Sequence, residues 1–503
     1  MPELIVLGLD GANWDLIDPW IEQGYLPNIA ALRENGVSTD SISCMPPVTC
    51  PNWRSYSTGK NPGKLGVYWW EMINKEERSV SIPDSKSFKS SDFWDYLNDE
   101  GISTGIMNLP MTYPPFDVDG FMIAGGPGSS DTEYALPKAL NAELDRSGYR
   151  LHPERSLTSC EDYQSASSIV NLIDGRLSRF EDILKKRPVE MAHCTVFYIN
   201  NLQHYFWRGE PVKDAWEVVD NHIGTLRESF PDTNLILMSD HGCNKIDTVF
   251  HINTWLENQG YLITDDSVDN LLHRVGVNQQ RIVSTLQKLG MHQYIPSVIK
   301  EPFRSVIPQD DEGIKRKKKI NKINWDKSKA IASGQGLVYV LDESYRDEII
   351  TKLSSLSRDT NGKPVANVVC RKEEVYEGPY LDAAPDIIFE QGEGLHTSGA
   401  VGNNQVFSST SHWKAENDLR GLFLASGPDV RKESLSGSIS ITDIFPTILD
   451  FFGCEIPKDI DGRTLSLSNS DEPAMRDPII PEYVSKGTEG DTRERLRDLG
   501  YIQ

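Results

Sequence analysis

Short apolar runs that alternate with amphipathic stretches constrain the fold of this chain most strongly. The runs Leu4–Leu9, Cys194–Asn200 and 234–238 are rich in branched residues and have the length of buried strands. Between them, Ala166–Lys186 and Val212–Ser229 show the apolar spacing of helices. Strands that alternate with helices form a mostly parallel sheet covered by helices on both faces. The pattern therefore predicts an α/β fold, a three-layer αβα sandwich around a central, mostly parallel sheet.

Two segments interrupt this pattern. Residues 265–325 are helical in pattern, broken in several places, and include the basic run "IKRKKKI" at Ile314–Ile320. We expect them to form a helical insertion or cap between two parts of the core, 1–264 and 326–470, with a polar C-terminal tail at 471–503. The stretch Thr39–Gly66 is dense in Ser, Thr, Pro and Gly and is predicted to be a long loop, of the kind that usually carries function.

Charge and composition exclude several classes of function. The 503 residues include 51 basic and 74 acidic side chains, a net charge of −23, which argues against broad binding to nucleic acids or anionic membranes. There is no run of 18 apolar residues and no basic leader, so we expect no membrane span and no signal peptide. The 7 cysteines are scattered without a CxxC pair and predict reduced thiols. These features predict a cytoplasmic protein.

Polar side chains follow each of the predicted strands. Asp10 comes after the first strand, Asn200 ends the second, and Asp240-His241 follow the third. Because the carboxyl ends of parallel strands meet at one edge of a sheet, we expect these side chains to lie close together. A buried acid beside an imidazole needs a partner, and a divalent cation satisfies both.

Three further residues complete a chemically meaningful set. Thr49 lies in "PPVTCPNW", His204 lies four residues after Asn200, and His412 lies in "STSHWK". Hydrolysis of a phosphate ester on two divalent metals needs carboxylates and imidazoles to hold the ions, and a hydroxyl that can attack phosphorus. The combination favours a phosphoester hydrolase.

The same segments resemble a known family. "LDGA", "TCPNWRSYSTGKNPGKLG", "SDHG", "HWKAENDLRGLFLASGP", "TDIFPTILDFFG" and "DIDGRTL" are similar to motifs of the alkaline phosphatase superfamily. Within it, they are similar to those of the type I phosphodiesterase/nucleotide pyrophosphatase family. The resemblance covers most of the chain and implies an alkaline phosphatase-like fold.

The resemblance also implies roles for individual residues. Thr49 would be the nucleophile that forms a covalent intermediate with the phosphoryl or nucleotidyl group. The expected cofactors are two divalent ions, zinc by resemblance, with manganese compatible with mixed Asp, His and Asn ligands. The expected partner is a small-molecule phosphoester, and the oligomeric state stays open. One metal would be held by Asp10, Thr49, Asp240 and His241, and the other by Asn200, His204 and His412.

The chain departs from the family pattern in two places. The family usually has Asp at the position of Asn200, and an amide offers an ion only a neutral oxygen, so we expect the second site to bind its metal more loosely. Nucleotide-cleaving members also place an Asn about 20 residues after the nucleophile, where this chain reads "VYWWEM". Asn52 and Arg54 are the candidate substrate contacts in its place.

Other branches of the superfamily fit the sequence less well. The sulfatase pattern C/S-x-P-x-R does not match at Cys44, Cys50 or Thr49, and the phosphoglycerate mutase branch expects a serine nucleophile. Two alternative functions stay open: a transferase that passes the threonine-bound group to a glycan or lipid acceptor, and a binding protein of the same fold with weakened catalysis.

Overall fold

The computed structural model describes residues 1–126, 129, 131–264, 322–359, 362–410, 412–431, 435, 437–467 and 473–481. The predicted insertion at 265–325 lies outside the described residues except for its last four, and so does most of the predicted tail at 471–503. Both therefore stay predictions.

The described residues form helices of very different lengths. The longest, with 24 residues, is α7, and among the described helices none is long and apolar enough to cross a bilayer. In chain order they are α1 (Trp14–Glu22), α2 (Pro27–Asn35), α3 (Thr49–Thr58), α4 (Pro62–Leu65), α5 (Phe93–Asp99), α6 (Ala139–Arg146), α7 (Tyr163–Lys186), α8 (Tyr198–Phe206), α9 (Glu210–Ser229), α10 (Ile252–Asn258), α11 (Arg346–Ser354), α12 (Lys372–Val375) and α13 (Ile444–Phe451).

The strands are mostly short. In chain order they are β1 (Leu4–Leu9), β2 (Val37–Ile42), β3 (Met72–Asn74), β4 (Ser79–Ser81), β5 (Thr104–Pro110), β6 (Gly120–Gly125), β7 (Ala135–Leu136), β8 (Met191–Val196), β9 (Asn234–Met238), β10 (Gly242–Lys245), β11 (Thr248–His251), β12 (Ala330–Ala332), β13 (Leu337–Val340), β14 (Ala366–Arg371), β15 (Ile387–Gln391), β16 (Leu395–Ser398), β17 (Phe407–Ser409), β18 (Ala415–Asp418), β19 (Arg420–Ser426), β20 (Ile439–Ser440), β21 (Ile456–Pro457) and β22 (Met475–Arg476).

A nine-stranded sheet forms the centre of the molecule, in the order β20-β2-β19-β9-β1-β8-β5-β6-β7. Its five inner strands β9, β1, β8, β5 and β6 are parallel, and antiparallel pairings occur only toward the two edges, at β19 and β7. β1 lies between β8 and β9, and all six of its residues are buried. That position explains its unbroken apolar sequence, since a central parallel strand is covered on both faces.

Two hydrophobic cores lie on opposite faces of this sheet. One contains the apolar residues of α1, α2, α7, α8 and α9, and the other those of α3, α5 and α13. Successive residues of β1 alternate between them, with Leu7 in the first core and Val6 in the second. The predicted three-layer αβα sandwich is confirmed.

A second, smaller sheet stands apart from the first. Strands β12, β13, β15 and β14 pair antiparallel in that order, and with α10 and α11 they enclose a core of their own. The sequence predicts that 326–470 forms the second part of the core, and within it the main sheet resumes only at β19. An apolar run has the same period in either sheet, so it does not reveal which partner it pairs with.

Two predicted elements differ in kind. The strand expected at Cys194–Asn200 ends at Val196, and Asn200 lies on α8, because its continuous apolar sequence fits a buried helix equally well. The stretch Thr39–Gly66, predicted to be a loop, contains the last four residues of β2 and all of α3 and α4. Every residue of α3 is buried, so this helix lacks the polar face by which a helix is recognised in a sequence.

A substitution at Gly8 in β1 tests how closely the main sheet packs against α3. A methyl group at this position would lie 2.5 Å from a ring carbon of Trp53, which is fully buried. Gly8→Ala should therefore lower the free energy of unfolding by about 1–3 kcal/mol, measured by urea denaturation.

Gly175 is the matched control. It lies on the exposed face of α7, and a methyl group there would meet nothing within 4 Å. Gly175→Ala should raise the free energy of unfolding by up to about 1 kcal/mol, since alanine is the better helix former. Equal effects of the two substitutions would contradict the close packing at Gly8.

Candidate active site

The pairing of β1 with β9 brings two carboxylates together. The strands run parallel with Gly8 opposite Met238, so Asp10 and Asp240 emerge at the same edge of the sheet. The backbone N–H of Gly11 donates to Asp240 Oδ1 at 3.2 Å. Both aspartates are fully buried. The expectation that these strand ends meet is confirmed for this pair.

Thr49 reaches the same place from the first turn of α3. Its hydroxyl lies 3.1 Å from His241 Nε2. One helical turn later, Trp53 Nε1 donates to Asp10 Oδ2 at 2.9 Å. The helix is thereby fixed to the carboxylate cluster at two points on one face.

Three lone pairs converge beside the Thr49 hydroxyl. Asp10, Asp240 and His241 each offer one ligand atom, and these atoms lie within 4.8 Å of one another. His241 Nδ1 donates to the carbonyl oxygen of Gly242 at 2.8 Å, which leaves Nε2 as an acceptor in the neutral ring. Asp240 Oδ2 lies 3.1 Å from that nitrogen, yet neither this oxygen nor Asp10 Oδ1 accepts a hydrogen bond from any described residue. Buried acceptors without donors call for a cation, so these residues fit a metal ion.

The pKa values of this cluster point the same way. Burial and the neighbouring charge of Asp240 raise the pKa of Asp10 well above its usual range. Burial lowers the pKa of His241, but the charges of Asp240 and Asp10 outweigh it and raise the value to about 9. Each shift expresses an excess of negative charge in a buried place: without a cation the cluster takes up protons, and a bound cation would take the place of the proton on His241 Nε2.

The second predicted metal set assembles only in part. Asn200 and His204 lie one turn apart on α8, and Asn200 Nδ2 lies 3.2 Å from His204 Nε2. Asn200 Nδ2 also donates to Asn417 Oδ1 on β18 at 3.3 Å. Burial lowers the pKa of His204 to about 4, against the raising effect of the Glu416 charge. The candidate ligands in this half are therefore two amides and one neutral imidazole, while the nearby Glu416 carboxylate is hydrogen-bonded to His396 and Trp413.

His412 does not join this group. Its side chain is exposed, and the place beside Asn200 is taken by Asn417, five residues further along the chain. The predicted set is therefore corrected at this position. His412 was expected only from the resemblance of its segment to that of the family, whereas the pairing of β18 with β10 places Asn417 beside Asn200.

Comparison with known protein families identifies the family to which the sequence belongs. The family model described as "Type I phosphodiesterase / nucleotide pyrophosphatase" matches residues 4–413. The chain belongs to this family. It is a phosphodiesterase/pyrophosphatase-type hydrolase of the alkaline phosphatase superfamily, and the predicted resemblance is confirmed.

Solved structures share the fold. Phosphonoacetate hydrolase from Sinorhizobium meliloti 1021, in complex with phosphonoacetate, has a TM-score of 0.59 at 14% identity, over 90% of this chain and 95% of that chain. An inactive variant of murine ectonucleotide pyrophosphatase/phosphodiesterase 5, in complex with AMP, has a TM-score of 0.51 at 14% identity, over 93% of this chain and 98% of that chain. No curated protein matches the sequence significantly.

The substrate contacts predicted from the nucleophile segment have interior partners in this family member. Asn52 is fully buried, accepts from the N–H of Cys44 at 2.8 Å and donates to three backbone carbonyls of residues 44–48. Arg54 is also fully buried, pairs with Asp92 at 2.7 Å and donates to the carbonyl of Met111. Both predictions are corrected: these side chains shape the segment that presents Thr49.

Several residues of the site were missed at the level of sequence. Trp53 had a local signal, because it stands four residues after Thr49 and so shares its face of a helix. Gln203 and Asn417 had none. Gln203 looks like any polar residue of a helix, and Asn417 is brought to Asn200 by the antiparallel pairing of Cys243 with Asn417.

A substitution at Arg54 tests whether this side chain stabilises the fold or binds the substrate. Arg54→Met leaves the Asp92 carboxylate buried without its partner, so the free energy of unfolding should fall by about 3–5 kcal/mol, measured by denaturant titration. For the fraction that stays folded at low temperature, we expect KM to stay within a few-fold of the natural value.

Arg150→Met is the control, because Arg150 pairs with Glu154 on the surface, where the two side chains are 55% and 60% exposed. Its effect on stability should stay below about 1 kcal/mol. A large rise in KM for folded Arg54→Met would restore Arg54 as a substrate contact.

Proposed function

We propose that this enzyme hydrolyses a small-molecule phosphodiester or pyrophosphate by attack of Thr49 on phosphorus, at a divalent metal site. The observation that carries the proposal is the place of the Thr49 hydroxyl, 3.1 Å from His241 Nε2 and beside carboxylate oxygens that lack a donor among the described residues. A nucleophilic hydroxyl needs such a neighbourhood, since an unassisted threonine does not ionise near neutral pH.

The metal site of the proposal consists of Asp10, Asp240, His241 and Thr49. A divalent cation bound there would supply positive charge that favours ionisation of the Thr49 hydroxyl and offsets the charge of the phosphoryl group. Zinc is the ion implied by the family, and oxygen and nitrogen donors are equally compatible with manganese. The family pattern also includes a second ion, and the residues found at its place in this chain are Asn200, His204 and Asn417.

The start of α3 favours a bound phosphoryl group. The first turn of a helix leaves its N–H groups without partners inside the helix, and here the N–H groups of Thr49 and Cys50 are the first two. Pro51 follows and has no N–H. These donors and the positive end of the helix dipole lie at the nucleophile, where negative charge develops.

The proposed reaction has two steps. Thr49 Oγ1 loses its proton to solvent and forms a bond to phosphorus, while the bond from phosphorus to the leaving oxygen breaks and that oxygen takes up a proton. Water then loses a proton and attacks the same phosphorus, and the bond to Thr49 breaks as a proton returns to Oγ1. A nucleotide is one candidate for the substrate, since AMP is bound in the related murine structure. Cytoplasmic localisation stays a prediction from the sequence.

Replacement of the nucleophile tests the first step. Thr49→Ala should lower kcat/KM on aryl phosphodiesters by at least about 1000-fold, because the attacking oxygen is gone, while Thr49→Ser should keep measurable activity. Thr58→Ala, at the other end of the same buried helix, controls for the loss of a threonine methyl and hydroxyl. Near-natural turnover by Thr49→Ala would refute the covalent step.

Replacement of a ligand tests the metal. Asp240→Asn should lower the metal bound per chain and the activity together, because a charged oxygen ligand becomes a neutral amide. Dialysis of the natural protein against a chelator should lower its melting temperature, because a ligand that binds only the folded state stabilises it.

Asp18→Asn is the control, at an aspartate that is 37% exposed and pairs with Arg33 on the surface. It should change neither metal content nor activity. If Asp240→Asn keeps the full metal content and only loses stability, the metal-binding role of Asp240 fails.

A further inference from the structure

A chain of hydrogen bonds occupies the place where the family pattern has a second metal. The donor and the acceptor of each hydrogen bond in this chain can be assigned. The chain of hydrogen bonds consists of Asn200, Gln203 and His204 on α8, and Asn417 on β18. We call it the amide network. The oxygen and the nitrogen of an amide side chain are distinguished by their partners, so the partners of fixed chemistry set the direction of the whole chain.

Gln203 is oriented by two partners of fixed chemistry. The indole N–H of Trp216 can only donate, and it donates to Gln203 Oε1 at 3.3 Å. The carbonyl of Gly11 can only accept, and it accepts from Gln203 Nε2 at 3.0 Å. The amino group of Gln203 therefore faces the site, and its donors are the ones presented to Asn200.

Gln203 in turn orients Asn200. Gln203 Nε2 donates to Asn200 Oδ1 at 3.1 Å, so the oxygen of Asn200 is already occupied and its amino group faces the other way. The fit around it is close, because a methyl group on Gly11 would lie 2.2 Å from Asn200 Oδ1. At position 200, where the family has a metal ligand, this chain therefore presents N–H groups, whereas a metal ion would need lone pairs.

His204 and Asn417 accept hydrogen bonds from the amino group of Asn200. His204 Nδ1 lies 2.8 Å from the carbonyl of Ala415, so Nδ1 carries the hydrogen and Nε2 carries the lone pair. That lone pair faces Asn200 Nδ2 at 3.2 Å, and Asn417 Oδ1 accepts from the same nitrogen at 3.3 Å.

The imidazole is also fixed in place. It stacks on Trp413 with ring centroids 4.0 Å apart. The Trp413 indole N–H donates to Glu416 Oε2 at 3.3 Å, which holds the stacking partner in position. His204 is thereby kept in the orientation that accepts from Asn200.

The two halves of the site differ in what they leave unsatisfied. In the carboxylate half, Asp10 Oδ1 and Asp240 Oδ2 have no donor among the described residues. In the amide network, Asn200, Gln203, His204 and Asn417 satisfy one another, and no formal negative charge belongs to them. A cation would have to break these hydrogen bonds and would gain only neutral ligands.

We propose that this enzyme holds one divalent cation, at the carboxylate half, and that the amino group of Asn200 takes the place of the second cation of the family. The inference rests on the proposed function for the first metal. The residues of the second set do not fit a metal ion. The amino group of Asn200 donates to His204 and to Asn417, at the position where a cation would attract both side chains. These hydrogen bonds keep this half of the site ordered without a metal.

The metal content of the natural protein tests this directly. Purified without chelator and dialysed against excess Zn²⁺, it should contain one ion per chain by mass spectrometry of the metal. Thermal unfolding during a Zn²⁺ titration should show stabilisation from one class of site.

Restoring ligands should create the second site. Asn200→Asp combined with Asn417→His replaces a donor by a carboxylate and an amide by an imidazole, and should raise the content to two ions per chain. The second ion should bind at least about tenfold more tightly than any second ion in the natural protein. Without metal the double variant should melt at a lower temperature than the natural protein, because one oxygen of the introduced carboxylate would then face the lone pair of His204 in place of the amide donor.

Asn201→Asp is the matched control, since it adds the same charge on the same helix outside the network. It should leave the content at one ion, as should His412→Ala. If the double variant does not fold, the count for the natural protein still decides the question.

The outcomes separate this inference from the proposed function. Two ions in the natural protein, one of them lost in Asp240→Asn, would overturn the inference and leave the proposed function standing. No ion in the natural protein would overturn both. One ion that persists in Asp240→Asn but is lost in His204→Ala would place the metal at the amide network, and would overturn both the inference and the metal site of the proposed function.

Discussion

The repulsion between two buried carboxylates is the constraint on which this structure depends. The parallel pairing of β1 with β9 leaves Asp10 and Asp240 side by side in the interior, with Gly11 donating to only one of their oxygens. Folding a chain around two such charges is unfavourable unless a positive charge joins them. The edge of the sheet that brings the two carboxylates together therefore favours the binding of a cation. A cation bound there would lie beside the Thr49 hydroxyl, where the proposed attack on phosphorus begins.

Helix α3, which carries the proposed nucleophile Thr49, is packed tightly beside this cluster. Its residues are buried throughout, Asn52 holds the preceding loop, and Arg54 is neutralised by Asp92 on the far side. Trp53 lies against Gly8 and donates to Asp10, so that strand and helix share one contact. Precision at Thr49 thus comes from packing on all sides of α3, and polar residues that would be exposed in most helices serve here as interior partners.

The amide network holds α8 and β18 together with neutral side chains, at the place where the family pattern has a charged ligand. A carboxylate and an imidazole facing each other without a metal would leave acceptors opposed. An asparagine removes the conflict, because its amino group supplies hydrogens at nearly the same volume. On our proposal the fold then needs only one cation for the whole site, while α8 and β18 stay joined through Asn200 and Asn417.

The sequence by itself determined the α/β class, the family, and the residues of the carboxylate half. Those conclusions rest on local signals: apolar strands that end in Asp10 and Asp240, and a hydroxyl in a recognisable segment. It also marked Asn200 as the point of departure. Only the tertiary structure decided that Asn200 lies on a helix, that Asn52 and Arg54 are interior residues, and that Asn417, not His412, stands beside Asn200. The physical reason is that a strand pairing such as β10 with β18 joins residues about 170 positions apart, as Asn244 and Asp418 are joined by a side-chain hydrogen bond. The period of an apolar run specifies that a strand will be buried, and it does not specify its neighbour.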